Sequence, residues 1–355
     1  MNDHDTPQPR GSAAVIPHRA VDPVMLFFDL VYVFLITELN DVLRAGPGWR
    51  GVVHCAVLLA LIYWQWVLVT VQSSIRDAST SRHRFTIMLL MLIALITAVA
   101  LPHAFGERAM LFALTCWTSR LAIAFLLARF EKSNGFRMNL TSSLIQGPLL
   151  LGGALLGGTG QLALWALAAL TEISAPFING RAMSAQRYDV GNVVERFGLL
   201  IIVALGETIV SIAMPQAEIE HLSWVGLGGL VAAFILVGGL WWAYFHHSLA
   251  LMEHYISRAR IPFLAVRSLL AYGHLALTAG LICLAAGLHH VMAEPHHHVS
   301  IGSAALLCGG VVAFLAMFAV VRLRNARRVY RSRVVAGLLC LALIPVGIHI
   351  SGLLL

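Results

Sequence analysis

Three carboxylic acids, Asp29, Glu172 and Glu207, stand inside runs of apolar residues long enough to cross a bilayer. One guanidinium group, Arg120, and one imidazole, His274, fall at overlapping depth in other runs, and a second guanidinium, Arg196, stands at the start of a further run. A charge in hydrocarbon is costly, so such residues are rare there without a partner or a purpose. Acids, an arginine and a histidine at mid-depth suit two kinds of chemistry. They can take up and release protons or small cations, or they can neutralise one another and hold helices together.

Spacing says which of them can act together. Asp29 shares VMLFFDLVYVFLITELN (24–40) with Glu38, nine residues on. At 100° per residue the two face opposite sides of a helix, so each needs a partner from another element. Glu172 is followed on its own face by Pro176 and Asn179; a proline there frees a backbone carbonyl and kinks the helix. In ERFGLLIIVALGETIVSIA (195–213), Arg196, Val203 and Glu207 form one stripe, and Gly198 and Gly206 are expected to permit close helix contact. Arg120 is the evident counter-charge for one of the acids. Arg267, His274 and Thr278 are expected on one face of a further helix.

The elements that must position these groups follow from composition. Of 355 residues, 59% are hydrophobic and 12% charged, and the mean hydropathy is +0.82. A soluble chain of this length carries about a quarter charged residues. The expected fold is therefore an all-α polytopic transmembrane helical bundle. Residues 1–23 are polar and read as a short disordered cytoplasmic tail rather than a signal peptide, with 24–355 as a single transmembrane domain. The five cysteines are scattered singly through apolar stretches and read as small core residues.

Stretches of about 20 mostly apolar residues fall near 24–43, 51–72, 85–103, 108–130, 139–157, 160–180, 196–214, 222–247, 265–292, 301–321 and 333–354. That makes eleven. Basic residues test the division, because cytoplasmic loops are enriched in them. Twenty of the 24, Arg196 and Arg267 among them, fall at the N-terminus or after even-numbered spans. The opposite side holds only Arg44, Arg50 and Arg108, and Arg120 lies within the fourth span. The alternation places the N-terminus in the cytoplasm and the C-terminus outside. It also accounts for most of the net charge of +7, with anionic lipid as its partner; nucleic acid need not be invoked.

Other features carry less chemistry. His246 and His247 follow WWAYF (241–245) at the inner interface, where Trp and Tyr make an aromatic belt. His289, His290, Glu294, His296, His297 and His298 give an outer histidine-rich segment that could bind zinc or copper, although the spacing matches no defined site. Walker A, GxSxG, HExxH, Gly-rich dinucleotide and paired Asp-rich motifs do not occur. ATP-driven transport, common hydrolysis and magnesium-dependent prenyl transfer lose weight accordingly, and no cofactor is expected.

With these segments placed, the chain resembles the bacterial low temperature requirement A family of multi-span membrane proteins. The resemblance rests on LFFDLVYVFLITEL (26–39), ERFGLLIIVALGETIV (195–210), WWAYF (241–245) and YGHLALTAGLICLAAGL (272–288), in that order over most of the chain. It implies a location in the bacterial cytoplasmic membrane and maps the family's polar positions onto Asp29, Glu195, Arg196, Gly206, Glu207 and His274. It implies no established reaction. The chain departs from the family pattern in having Met25, His246 and His289 where acids are usual. A second, shorter similarity links FFDLVYVFLIT (27–37) to a motif of endolysosomal-type potassium channels. Spans 1 and 7 also echo one another, in LITEL and LGETI.

The expected function is proton- or cation-coupled transport, with a site between spans 1, 6, 7 and 9. Asp29, Glu172 and Glu207 would be the binding carboxylates, Arg120 and Arg196 would balance charge, and His274 would relay protons. The alternative is a membrane-embedded enzyme in which a buried carboxyl protonates an isoprenoid or other lipid. Further alternatives are a cation channel and a non-catalytic stress-tolerance factor. Substrate and oligomeric state are left open.

Overall fold

The computed structural model describes residues 22–75, 81–127, 134–178, 189–221, 223–246, 248–294, 298–326 and 331–347. Among them are twelve helices and no β-strand. In chain order these are α1 (Pro23–Ala45), α2 (Trp49–Ile75), α3 (Ser81–Ala100), α4 (Ala109–Ala122), α5 (Asn134–Leu156) and α6 (Gly158–Ile178). Then come α7 (Val190–Ala217), α8 (Trp224–Phe245), α9 (Ser248–Arg258), α10 (Pro262–Ala293), α11 (Ile301–Ala326) and α12 (Arg331–Gly347). Eight helical segments are long and apolar enough to cross a membrane, and two shorter apolar helices lie at Ala109–Phe125 and Arg333–Gly347. A helix occupies each of the eleven apolar stretches, with α5 covering the remaining one.

Local chemistry sets the boundaries. Asp22 caps α1, accepting from the Val24 N–H at 3.0 Å, and Pro23 stands at the first turn, where no donor is needed. Gly157 and Gly158 have φ of +66° and +53°, and these left-handed residues make the tight turn that separates α5 from α6. Two boundaries differ from expectation. α7 starts at Val190, so Arg196 lies inside the helix on a fully buried face instead of at its cytoplasmic end. α9 is an additional helix whose apolar residues Met252 and Ile256 are buried one turn apart, in a segment read as a loop.

α10 contains a wide π turn at Val266–Tyr272. Tyr63 of α2 donates to the Ala271 carbonyl at 2.7 Å, and His274 Nδ1 sits 3.1 Å from the Leu269 carbonyl. The wide turn also shifts the helical phase, because each residue advances less than 100° there. Arg267 and His274 consequently meet different neighbours. Arg267 bonds the Pro176 carbonyl at 3.1 Å and lies over Phe177, whereas His274 is wholly buried.

The tightest helix contact joins α10 and α11. A Cβ on Gly287 would stand 2.5 Å from the Leu307 nitrogen, and one on Gly310 would stand 2.5 Å from the Gly280 oxygen. Backbone touches backbone there, as small residues in membrane helices allow. Gly287→Ala is expected to lower stability by about 1–3 kcal/mol, the usual cost of overpacking. Gly309→Ala, where an added methyl meets nothing within 4 Å, is expected to be neutral or better. Unfolding of purified protein in mixed micelles compares the two. By contrast Gly206, expected at a helix contact, is exposed and has no neighbour within 4 Å of its would-be Cβ.

Candidate functional site

α1 and α7 lie side by side and run parallel, in a register fixed by two polar contacts. Asp29 meets Arg196 and Asn40 meets Glu207, and both pairs are separated by 167 positions. Within each helix the two residues are eleven apart, which is three turns plus 20°. Asp29 and Asn40 therefore share a face of α1, and Arg196 and Glu207 share a face of α7. The two contacts stand about 16 Å apart along the seam at 1.5 Å per residue.

At the first contact Arg196 holds Asp29 through both carboxylate oxygens, Nη2 to Oδ1 at 2.5 Å and Nε to Oδ2 at 3.3 Å. Trp66 of α2 adds its indole N–H to Oδ1 at 2.8 Å. The guanidinium also lies near the Phe28 and Trp66 rings, 5.9 and 5.6 Å from their centroids. Forked hydrogen bonding together with aromatic faces is the environment that suits arginine and not lysine. Arg196 and Asp29 are both buried, and their charges cancel.

The second contact is different. Glu207 accepts from Thr37 Oγ1 at 2.6 Å and from Asn40 Nδ2 at 3.3 Å. Both donors are neutral, and no basic side chain of the described residues forms an ion pair with this acid. Glu207, Asn40 and Ser211, one turn further along α7, are all buried. Asn40 Oδ1 and Ser211 Oγ have no hydrogen-bond partner. Towards the end of α1, Arg44 pairs with Asp41 and lies 3.1 Å from His289 Nδ1, which is 3.3 Å from the Ser211 carbonyl.

A third centre joins α4 to α6. Arg120 Nη2 lies 3.0 Å from Glu172 Oε1, with both side chains almost fully buried. Arg120 is thus the partner of Glu172. Its Nε and Nη1, and the Gln146 side-chain amide of neighbouring α5, have no hydrogen-bond partner. A fourth polar contact ties α8 to α10: the Tyr244 hydroxyl is 2.6 Å from His274 Nε2. The Leu269 carbonyl can only accept, so Nδ1 of the neutral ring donates to it and Nε2 accepts from Tyr244. Tyr244 is buried and not part of an interfacial belt, whereas Trp241 and Trp242 are exposed as expected of one.

The candidate residues are thus distributed among separate centres. The structure brings Asp29 to Arg196 and Glu172 to Arg120, and it places Glu207 and His274 each with neutral partners. Glu195 is exposed on a groove of about 310 Å³ shared with Phe245, Leu249 and Glu253. Asn179, His296 and His297 lie outside the described residues. His289 and His290 are half-buried and His298 is exposed. No three His, Cys, Asp or Glu side chains are grouped to hold a metal ion among the described residues. Thr37, Asn40, Trp66 and Tyr244 were not assigned to a site by sequence, whereas Ser211 is expected from spacing alone one turn from Glu207. The signal available was the shared spacing of eleven in Asp29…Asn40 and Arg196…Glu207.

The model of the bacterial low temperature requirement A protein family matches residues 20–355, nearly the whole chain. The chain belongs to this family. An uncharacterized protein of Rhizobium meliloti (strain 1021) is 26% identical over 308 residues, covering 82% of this chain and 74% of the relative. No solved structure matches. In this low temperature requirement A protein, two family motifs meet along one seam: the LFFD aspartate binds the arginine of ERF, and the end of ITELN binds the glutamate of GET. The chain is a multi-pass membrane protein by family and by its apolar helices.

Proposed function

We propose that the protein is a transporter of the bacterial cytoplasmic membrane, coupling movement of a small solute to a proton or cation taken up by Glu207. In this reading it spans the membrane eleven times, with its N-terminus in the cytoplasm. One observation carries the proposal. Glu207 is a buried carboxyl whose bonded partners are a hydroxyl and an amide, while Asp29 and Glu172 each have an arginine. An ionised carboxylate there is unbalanced, and burial of an unpaired charge is prohibitively costly. In this reading Glu207 takes up a proton or a cation, and release of either changes the net charge of the α1–α7 seam. Transporters place such groups between packed helices that rearrange around them. The Asp29–Arg196 pair then serves as the fixed end of the seam.

The enzyme reading has less support. A groove of about 470 Å³ between α5 and α6 is lined by Thr141, Ser142, Thr171, Ser174 and apolar side chains, with no carboxyl among its lining residues. Purified protein in liposomes carrying an internal pH dye, under an imposed proton or cation gradient, tests the proposal against a panel of solutes. The wild type is expected to dissipate the gradient when its solute is added. Glu207→Gln, folded by gel filtration, is expected to abolish that response. Wild-type flux in Glu207→Gln would rule the proposal out.

A further inference from the structure

We infer that Glu207 lies in a site for a monovalent metal cation of the sodium class, built from oxygens of α1 and α7. The inference deepens the transporter reading and rests on it for its role, but the site can be tested by itself. A proton on Glu207 would satisfy the carboxyl and leave its surroundings unexplained. Asn40 Oδ1 and Ser211 Oγ are buried oxygens without partners, one across the seam from Glu207 and one a turn along its own face. Each orphan is destabilising if nothing answers it. Turned toward Glu207, these oxygens would complete with its carboxylate the donor set that hard cations select.

Thr37 supplies a further oxygen. Its hydroxyl has one hydrogen and two acceptors in range, Glu207 Oε2 at 2.6 Å and the Val33 carbonyl at 3.2 Å. Turning that hydrogen to Val33 keeps it bonded and presents the oxygen lone pair to an ion beside Glu207. Glu207, Thr37, Asn40 and Ser211 together bring one negative charge and three neutral side-chain oxygens. A monovalent ion makes the site neutral; a divalent ion would leave a net positive charge among buried helices, where charge is costly. The absence of a second acid or a histidine from this set argues against zinc or copper, which prefer nitrogen and sulfur.

The test is equilibrium binding of ²²Na⁺ to the full-length protein in detergent with choline as background ion. Saturable binding is expected, displaced by unlabelled Na⁺ or Li⁺ and not by Mg²⁺ at equal concentration. Glu207→Gln is expected to abolish it. Ser211→Ala and Asn40→Ala are each expected to raise the Kd about tenfold or more, the loss of one contact to a charged group. Should Asn40→Ala fail to fold, Ser211→Ala and Thr37→Val decide. Unchanged Kd in folded Ser211→Ala and Thr37→Val would overturn the site, as would preferential displacement by Mg²⁺. Proton-coupled solute flux without saturable ²²Na⁺ binding would overturn the inference and leave the transporter standing. Binding lost in Ser211→Ala, in a protein that moves no solute, would support the site and remove the transporter.

Discussion

Arg196→Ala is expected to destabilise the protein by about 3–5 kcal/mol, enough to empty the membrane of folded protein, because it strands a buried charge. Asp29 would keep the Trp66 N–H and lose both bonds to the guanidinium. Asp29→Asn is expected to do comparable harm from the other side, stranding Arg196, which is wholly buried between aromatic rings. Arg196→Lys should fall between, since an ammonium cannot bridge both carboxylate oxygens.

Arg196→Met with Asp29→Leu removes both charges and is expected to recover most of the loss, as apolar replacement of buried pairs commonly does. Unfolding of the wild type, Arg196→Met, Asp29→Leu and the double variant in mixed micelles closes a thermodynamic cycle, and a coupling energy near zero would mean that the two side chains do not meet. The result bears on function as well. If the pair only fastens α1 to α7, the apolar double variant keeps ²²Na⁺ binding at Glu207, about 16 Å further along the seam.

Much of the helical architecture could be read from the chain because hydrocarbon leaves so few options: backbone groups must be bonded within the segment, so each span shows as an apolar run. What sequence conveyed poorly was the side-chain geometry between helices. Arg196 was grouped with loop cations because the rule that orients membrane proteins counts charge near span ends, and a residue one or two turns inside looks the same. Its partner Asp29 was visible as an anomaly at the right depth, but the contact spans 167 positions and depends on the α1–α7 register. Gly206 shows the same limit in reverse. A small residue permits close approach, yet only tertiary packing decides whether a neighbour comes, and here none does. Tyr244 was assigned to the interface with its tryptophan neighbours, although it turns inward to His274. α9 escaped because its buried stripe is short and its eleven residues are too few to cross a bilayer.

The second large effect concerns Arg120 and Glu172, where single and double substitutions should diverge in sign. Glu172→Leu leaves Arg120 buried with no carboxylate and is expected to cost about 3–5 kcal/mol, and Arg120→Met strands Glu172 at similar cost. Combined, they should be neutral or stabilising by about 1–4 kcal/mol. The basis is how incompletely this pair is satisfied in comparison with Asp29–Arg196. One guanidinium nitrogen approaches one oxygen at 3.0 Å, with Arg120 Nε and Nη1 left without partners. The Asp29 carboxylate has three donors. Desolvation of two charges is offset only when geometry and surrounding hydrogen bonds are good, and at Arg120 they are not. If the double variant is at least as stable as the wild type but fails in solute flux, the pair contributes to function. If the double variant is as unstable as either single variant, the Gln146 amide on adjacent α5 belongs to the same network, and Gln146→Leu added to the double variant should restore folding.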